Sequence, residues 1–222
     1  MNKYDNLFGS EWAKLLTPFL QSDEFKYIGK TLKDLQNTGT RIYPLFDDMF
    51  RAFKECPYDD LKVVVLTNNP YTKESDGLAF SSKERTKVLD RIFEAVEQDV
   101  AKGFYLTRKT DLTRWANQGV LLLNLDLSTD AGKKVNHLKL WEAFMQYLMK
   151  TLAEQHPGLI YILIGKASKP YIDYLDVLAN DTYALEHPMH SIKEQRPWRH
   201  KNIFSDINTA SKLINNKEIQ WT

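Results

Sequence analysis

Short apolar runs alternate along the chain with segments whose apolar residues recur at helical spacing. Four runs predict buried strands: Leu61 to Leu66, Val120 to Leu123, Leu159 to Ile164 and Thr182 to Leu185. Five segments predict helices: Trp12 to Leu20, Phe46 to Phe53, Val88 to Val100, Leu140 to Leu152 and Phe204 to Ile214. In the last segment we expect Ile207 and Leu213 to contact the core. Strands separated by helices favour an α/β fold with a parallel sheet covered on both faces.

Length, charge and cysteine content narrow the class of protein. The 222 residues suit one domain, 1–222, and the 43% of hydrophobic residues can form a sizeable core. The net charge of +1 excludes a globally basic DNA-coating protein but allows a local basic face. Cys56 is the single cysteine, which excludes an internal disulfide and a thiolate metal cluster and favours a reducing compartment.

The expected cellular location follows from two kinds of segment that the sequence lacks. Residues Met1 to Asp5 lack the apolar region of a signal peptide, and no apolar run is long enough to span a bilayer. We therefore expect a cytoplasmic protein that does not contact membranes. The five histidines show no metal-ligand spacing, so we expect no metal.

Polar or flexible residues follow each of the four predicted strands, namely Asn69, Asn124, Gly165 and His187. Sites in parallel sheets collect at the carboxyl ends of the strands, so these residues predict one common site. Asn124 is of interest because its carboxamide carries a donor and an acceptor, which match the paired edge groups of a pyrimidine.

Each of these residues also has an ordinary structural interpretation. Asn68 and Asn69 precede a proline and suit a simple turn, because asparagine bonds readily to its own backbone. Tyr71 and Phe80 are equally typical of core aromatics. A lone histidine such as His187 is more often structural than catalytic.

The segment from His187 to Lys201 is strongly basic. It contains His187, His190, Lys193, Arg196, Arg199, His200 and Lys201, with Glu194 as its only acid and Trp198 embedded within it. A basic loop with an aromatic residue indicates a surface that contacts phosphates, and a solvated surface loop is the open alternative. Lys166 has the same two interpretations.

Several segments, taken in order, resemble family 1 uracil-DNA glycosylases from about Tyr43 to the C-terminus. They are Tyr43-Pro44, Leu61 to Val65 with Pro70-Tyr71, Asp76 to Ser81, Gln118 to Asn124, Leu163 to Gly165, His187-Pro188 and Phe204-Ser205. The resemblance implies a single-domain, three-layer α/β/α fold with a four-stranded parallel sheet. It also implies a DNA glycosylase that needs no cofactor.

The resemblance assigns roles to five residues. The target nucleotide would be flipped out of DNA, because its glycosidic bond is unreachable within the stack. Phe80 would stack on the base, Asn124 would bond its Watson–Crick edge, and Tyr71 would crowd C5 and exclude thymine. The backbone near Asn68 would contact the base oxygens, and His187 would stabilise the departing uracil anion at O2.

The resemblance also implies contacts with DNA and sets the expected partners. The residues expected at the DNA are Pro44, Gly165, Lys166, His190, Ser191, Arg196 and Arg199. We expect a monomer that acts on single- or double-stranded DNA, with a protein partner as an open addition.

The chain departs from the family pattern at the catalytic position. Asn69 stands where the family carries the aspartate that positions water, and an amide supplies neither a negative charge nor a base. Thr67 replaces a glycine, Asn68 a glutamine and Thr72 a histidine, and the leucine that wedges into the base stack is missing from its expected place.

Three functions are therefore compared. The leading hypothesis is base excision of uracil, weakened or altered by Asn69, with Asn69 and His187 as catalytic residues. The alternative is a catalytically inactive module that binds DNA or a protein partner in replication or repair. A third hypothesis keeps the enzyme but changes the base to a modified pyrimidine.

Overall fold

The computed structural model describes residues 3–101, 107–133, 137–175 and 179–222. Its α-helices span Asp5–Phe8 (α1), Ser10–Leu20 (α2), Asp23–Asn37 (α3), Arg51–Glu55 (α4), Lys87–Asp99 (α5), Thr113–Ala116 (α6), Leu138–Gln155 (α7), Pro188–Lys193 (α8) and Ile203–Asn215 (α9). Its strands span Ile42–Tyr43 (β1), Val63–Thr67 (β2), Val120–Asn124 (β3), Thr129–Asp130 (β4), Ile160–Ile164 (β5) and Asp181–Leu185 (β6). Short 3-10 turns cover Phe46–Asp48, Tyr58–Asp60 and Lys169–Tyr174.

The central sheet is parallel and has the strand order β3-β2-β5-β6. The chain passes from β2 to β3 at one edge and then returns across the sheet to β5. The topological switch point therefore lies between β2 and β5, where parallel sheets place their ligand sites. A separate two-stranded antiparallel sheet pairs β1 with β4. The prediction of four parallel strands is confirmed.

Helices cover both faces of the sheet and make the fold a three-layer α/β/α structure. Every residue of β2, β3 and β5 is buried, which explains their nearly continuous β-branched and leucine sequences. Helices α5 and α9 pack on one face through Ile92 and Ile207, which meet Val65 and Leu122 of the strands. Rings of α1, α2, α4 and α7 form an aromatic cluster in the other helical layer: Phe8, Trp12, Phe53, Phe144 and Trp141.

Three helical details differ from the expectations. The segment from Phe46 to Phe53 forms a 3-10 turn followed by the short helix α4, rather than one helix. The basic segment is not all loop, because α8 begins at Pro188, which occupies the first helical turn. The expected core contact of Leu213 is wrong, since this side chain is 82% exposed. At 100° per residue it lies roughly 120° from the buried Ile207 around α9.

Among the described residues, no helix combines the length and the apolar character needed to cross a bilayer.

Candidate active site

A small pocket opens at the carboxyl ends of β2 and β3. It is lined by Thr67, Asn69, Pro70, Tyr71, Leu78, Phe80, Val88, Asn124 and His187. The structure therefore brings together five of the residues that the sequence singled out: Asn69, Tyr71, Phe80, Asn124 and His187. Asn68 is not among the lining residues.

The loop that carries Phe80 is held in place from both sides. The Asp76 carboxylate accepts hydrogen bonds from the Leu78 backbone N–H at 3.2 Å and from the Ser81 hydroxyl at 2.5 Å. The Ala79 N–H donates to the carbonyl of Leu122 in β3 at 2.9 Å. These bonds connect the loop to the sheet, so the position of the Phe80 ring is set by the most buried part of the fold.

Two backbone positions in this loop have positive φ. Gly77 has φ +90°, and a Cβ at this position would lie 1.9 Å from the Asp48 carbonyl oxygen, so only glycine fits. Phe80 has φ +66°, a left-handed conformation that costs a non-glycine residue roughly 1–3 kcal/mol. Strain of this kind concentrates at functional sites because the surrounding structure must maintain it.

His187 is positioned by the start of helix α8. It is the N-cap residue, and its Nδ1 accepts a hydrogen bond from the Met189 N–H at 3.1 Å. With Nδ1 acting as acceptor, the neutral ring carries its hydrogen on Nε2. Burial, helped by the nearby His190, lowers the pKa of His187 to about 4. At neutral pH this imidazole is an uncharged hydrogen-bond donor beside Phe80, with 5.9 Å between ring centroids.

Asn124 ends β3 with its side chain buried at the pocket floor. Within the described part of the chain, its carboxamide has no hydrogen-bond partner. A buried amide normally finds partners in the protein, so an amide left open in a pocket is available to a ligand.

Tyr71 forms a wall of the pocket and is held by its hydroxyl. The hydroxyl bonds the Thr86 hydroxyl at 2.9 Å and lies 3.4 Å from the Phe80 carbonyl. Burial raises the pKa of Tyr71 to about 12, so the phenol stays neutral. Thr86 also caps α5 by accepting the Leu89 N–H at 3.1 Å. Sequence reasoning missed Thr86, although a threonine before a predicted helix is a recognisable N-cap.

Curated proteins with similar sequences are uracil-DNA glycosylases. That of Phocaeicola vulgatus is 33% identical over 183 residues, covering 80% of this chain and 82% of the relative. That of Fusobacterium nucleatum subsp. nucleatum is 30% identical over 229 residues, covering 100% of this chain and 97% of the relative. The chain belongs to the uracil-DNA glycosylase family.

Solved structures agree at the level of the fold. The mimivirus uracil-DNA glycosylase superposes with a TM-score of 0.87 at 21% identity, over 97% of this chain and 87% of the viral chain. The UNG of Nitratifractor salsuginis gives a TM-score of 0.62 at 21% identity, over 91% and 92% of the two chains. No family model matches the sequence.

In this member of the uracil-DNA glycosylase family, Asn68 lies at the switch point of the sheet. Its Oδ1 is buried without a hydrogen-bond partner. A Cβ at Gly165, whose φ is +97°, would lie 3.0 Å from this Oδ1 and 3.2 Å from Nδ2. Gly165 therefore leaves room for the Asn68 amide. Asn69, the next residue, is exposed at the pocket rim.

Arg196 of the basic segment is paired with acids of the same chain. Its terminal nitrogens contact both carboxylate oxygens of Glu186, at 2.6 and 2.7 Å, and its Nε contacts Glu194 at 2.6 Å. The indole of Trp198 donates to the Glu186 carbonyl at 2.9 Å. This group of contacts fixes the residue immediately before His187.

The other residues expected at DNA differ in exposure. Arg199 and Lys166 are exposed, and neither forms a salt bridge within the described residues, although Arg199 lies near enough to Glu186 to help lower the pKa of that carboxyl. His190 lies 3.5 Å from Glu194. Ser191 is buried and donates to the Pro188 carbonyl at 2.8 Å. Pro44 is also buried, but the neighbouring Leu45 and Phe46 are exposed.

The described residues contain no group of three or more histidine, cysteine, aspartate or glutamate side chains arranged to hold a metal ion.

Proposed function

We propose that this protein is a DNA glycosylase that hydrolyses the N-glycosidic bond of a flipped uracil, or of a related pyrimidine, in DNA. The observation that carries this proposal is the pocket itself. It combines an open carboxamide on Asn124, a neutral imidazole donor on His187 and the ring of Phe80 within one small volume. The names of the curated relatives support the same activity.

The pocket groups account for recognition of the base. The target nucleotide leaves the stack because its glycosidic bond is inaccessible within the duplex. Phe80 stacks on the ring, and the Asn124 amide pairs with a ring N–H and a neighbouring carbonyl. Tyr71, held by Thr86, limits the space beside the base and disfavours a 5-methyl group.

The chemistry requires one bond to form and one to break. The oxygen of a water molecule bonds to C1′ of the sugar, the C1′–N1 bond breaks, and its electron pair remains on the base. The Nε2–H of His187 donates to the oxygen on which that negative charge develops. Preorganised donors of this type contribute roughly 10²–10³ in rate.

Asn69 is the weak part of this arrangement. At the pocket rim its amide orients the attacking water but carries no charge to stabilise the cationic sugar. It also cannot accept the proton that the water loses, which must pass to solvent or to another group. We therefore propose slower excision than an aspartate at this position would give.

The surface beside the pocket suits a DNA backbone. We propose that the exposed Lys166, His190 and Arg199 contact phosphates and that the turns at Pro44 and Gly165 approach the strand. In this arrangement Ser191 and Arg196 hold the segment in place, because their polar groups are already paired. We propose that the protein acts as a cytoplasmic monomer on single- or double-stranded DNA.

The proposal is tested with oligonucleotides that contain uracil or modified pyrimidines, scored for abasic sites after incubation. We expect slow release of uracil, lost in Asn124→Ala and strongly reduced in His187→Ala. Leu213→Ala is the control, because this side chain is 82% exposed on α9 and does not line the pocket.

One observation favours a second function, namely the missing charge at Asn69. Binding to DNA without release of any base from the panel would support a non-catalytic module that binds DNA or a protein partner. It would overturn the proposed excision.

A further inference from the structure

Thr67 is the last residue of β2 and lies opposite Asn124 in the register of the sheet. Side chains alternate between the two faces of a strand, so Thr67 shares a face with Val65. Val65 packs with Ile92 of α5 and Leu122 of β3, on the face that also carries the pocket. The side chain of Thr67 therefore points to the same side as that of Asn124.

The hydroxyl of Thr67 has no hydrogen-bond partner. The residue is only 3% exposed, it lines the pocket, and its Oγ1 is buried and unpaired. A hydroxyl removed from water without a partner carries a desolvation penalty, so native structures rarely keep one without a reason. Here the opposite residue is Asn124, whose amide is open as well. Two unsatisfied polar groups thus lie side by side on one floor.

We propose that Thr67 is a base-contacting, specificity-determining residue whose hydroxyl donates to an oxo group of the bound pyrimidine. The inference rests on the proposed function and identifies the substrate class more closely. The proposed contacts with the base use three donors, on Asn124 Nδ2, Thr67 Oγ1 and His187 Nε2, and one acceptor, Asn124 Oδ1.

This set of groups matches a 2,4-dioxopyrimidine. Such a base presents two oxo acceptors on either side of the N3–H donor. Asn124 pairs with N3–H and one oxo group, and the other two donors share the two oxygens. In a 4-aminopyrimidine an amino donor replaces one oxo acceptor, and N3 becomes an acceptor. The pocket donor that would bond the missing oxo group then faces another donor, and the Asn124 Oδ1 acceptor faces another acceptor.

The test uses Thr67→Val, which keeps the β-branched shape in a buried strand and replaces the hydroxyl with a methyl group. Without ligand we expect a higher melting temperature, because an unpaired buried hydroxyl is lost. Calorimetric titration with free uracil should show roughly 5- to 100-fold weaker binding, since one oxo group then lacks its donor. Thr67→Ser, which retains a hydroxyl, should restore most of the affinity.

The same titration with 2-thiouracil and 4-thiouracil identifies the contacted oxygen, because sulfur accepts hydrogen bonds weakly. The wild type should discriminate against one of these analogues, and Thr67→Val should lose that discrimination. If Thr67→Val binds uracil as tightly as the wild type, or if Thr67→Ser binds as weakly as Thr67→Val, the Thr67 contact is overturned while the proposed function stands. A wild-type protein that binds no free uracil overturns the Thr67 contact, and the excision assay on the oligonucleotide panel then decides the proposed function separately.

Discussion

Two side chains on the pocket floor and one arginine of the basic segment from His187 to Lys201 show opposite hydrogen-bonding states. In the pocket, Thr67 and Asn124 are buried, and the Thr67 hydroxyl and the Asn124 carboxamide have no hydrogen-bond partner within the described residues. In the basic segment, Arg196 is paired with Glu186 and Glu194 through three contacts of 2.6–2.7 Å. The first region leaves uncharged groups open, and the second neutralises a full charge internally.

The difference shows that formal charge is a poor guide to a ligand site. Arg196 contributes to the basic count of the segment but serves to hold the end of β6, where Glu186 precedes His187. The neutral amide of Asn124 adds nothing to the charge count, yet it is available to a ligand. Unsatisfied hydrogen-bonding capacity in a pocket is the more direct sign of recognition.

The largest effect is expected from a substitution that adds a charge to the uncharged pocket. Asn69→Asp should raise uracil excision by roughly 10²–10³, because a carboxylate both stabilises the sugar cation and accepts the proton of water. Single-turnover rates on a uracil-containing oligonucleotide measure the change.

Combining this change with His187→Ala tests whether the gain belongs to the proposed mechanism. The double variant should lose most of the increase, because the departing base would lack its donor. An Asn69→Asp protein no faster than its parent would show that Asn69 does not occupy the water-positioning site.

The second prediction concerns the open amide. Uracil at about 100 times its dissociation constant should stabilise the native protein by about 2.7 kcal/mol. Asn124→Ala should abolish this stabilisation and change the melting temperature without ligand only slightly, because the amide has no protein partner to lose. Thermal unfolding with and without uracil provides the measurement. A full shift in the variant would remove Asn124 from the recognition of the base.

The third prediction compares two arginines of one segment. Arg199→Ala should reduce the slope of log affinity for DNA against log salt by about one, as expected for one lost phosphate contact. Arg196→Gln should leave that slope unchanged and instead lower the melting temperature slightly, because the contacts with Glu186 and Glu194 are lost but lie near solvent. The comparison of the two regions fails if Arg196→Gln changes the salt slope as much as Arg199→Ala does.

The smallest expected effect concerns the His187 imidazole, which should not titrate near neutral pH. The folded pKa of His187 is about 4, below the ordinary value of 6.5, so the ring stays neutral as the pH falls through 6.5. The unfolded chain takes up this proton earlier, so the contribution of His187 to stability is present above pH 6.5 and is lost as the pH falls towards 4. The His187 ring resonance, assigned with His187→Gln, should be constant between pH 5.5 and 8. A midpoint near 6.5 would refute the neutral donor.

The parts of the fold that the sequence predicted are those with a strong local pattern. Runs of β-branched residues and leucine identify the strands, because burial on both faces excludes polar residues from them. Helix α3 was not predicted, because most of its residues are polar and Ile28 and Leu32 are its buried residues. Sequence reasoning missed the signal at its start, where Ser22 is an N-cap residue whose side chain accepts the Phe25 N–H. The pairing of β1 with β4 joins two-residue strands that lie far apart in the sequence, which no local pattern indicates.

The sequence predicted which residues form the candidate site, but it did not predict which of their polar groups are hydrogen-bonded. Residues that follow parallel strands must meet at one edge of the sheet, which is why Asn69, Asn124 and His187 were found. The state of each polar group depends on distant partners. Glu186 lies just outside the basic segment, and its pairing with Arg196 follows from the geometry of β6 and α8. The open hydroxyl of Thr67 likewise depends on strand register.

Gly77 illustrates what the architecture imposes on the evolution of this protein. The Asp48 carbonyl occupies the space that any side chain at position 77 would need, so every substitution there displaces the loop that carries Phe80. In a saturation-mutagenesis screen for excision, position 77 should therefore tolerate as little variation as a catalytic position. Substitutions of this glycine would then fail because the loop has no space for a side chain, and the result would not mean that Gly77 takes part in the reaction.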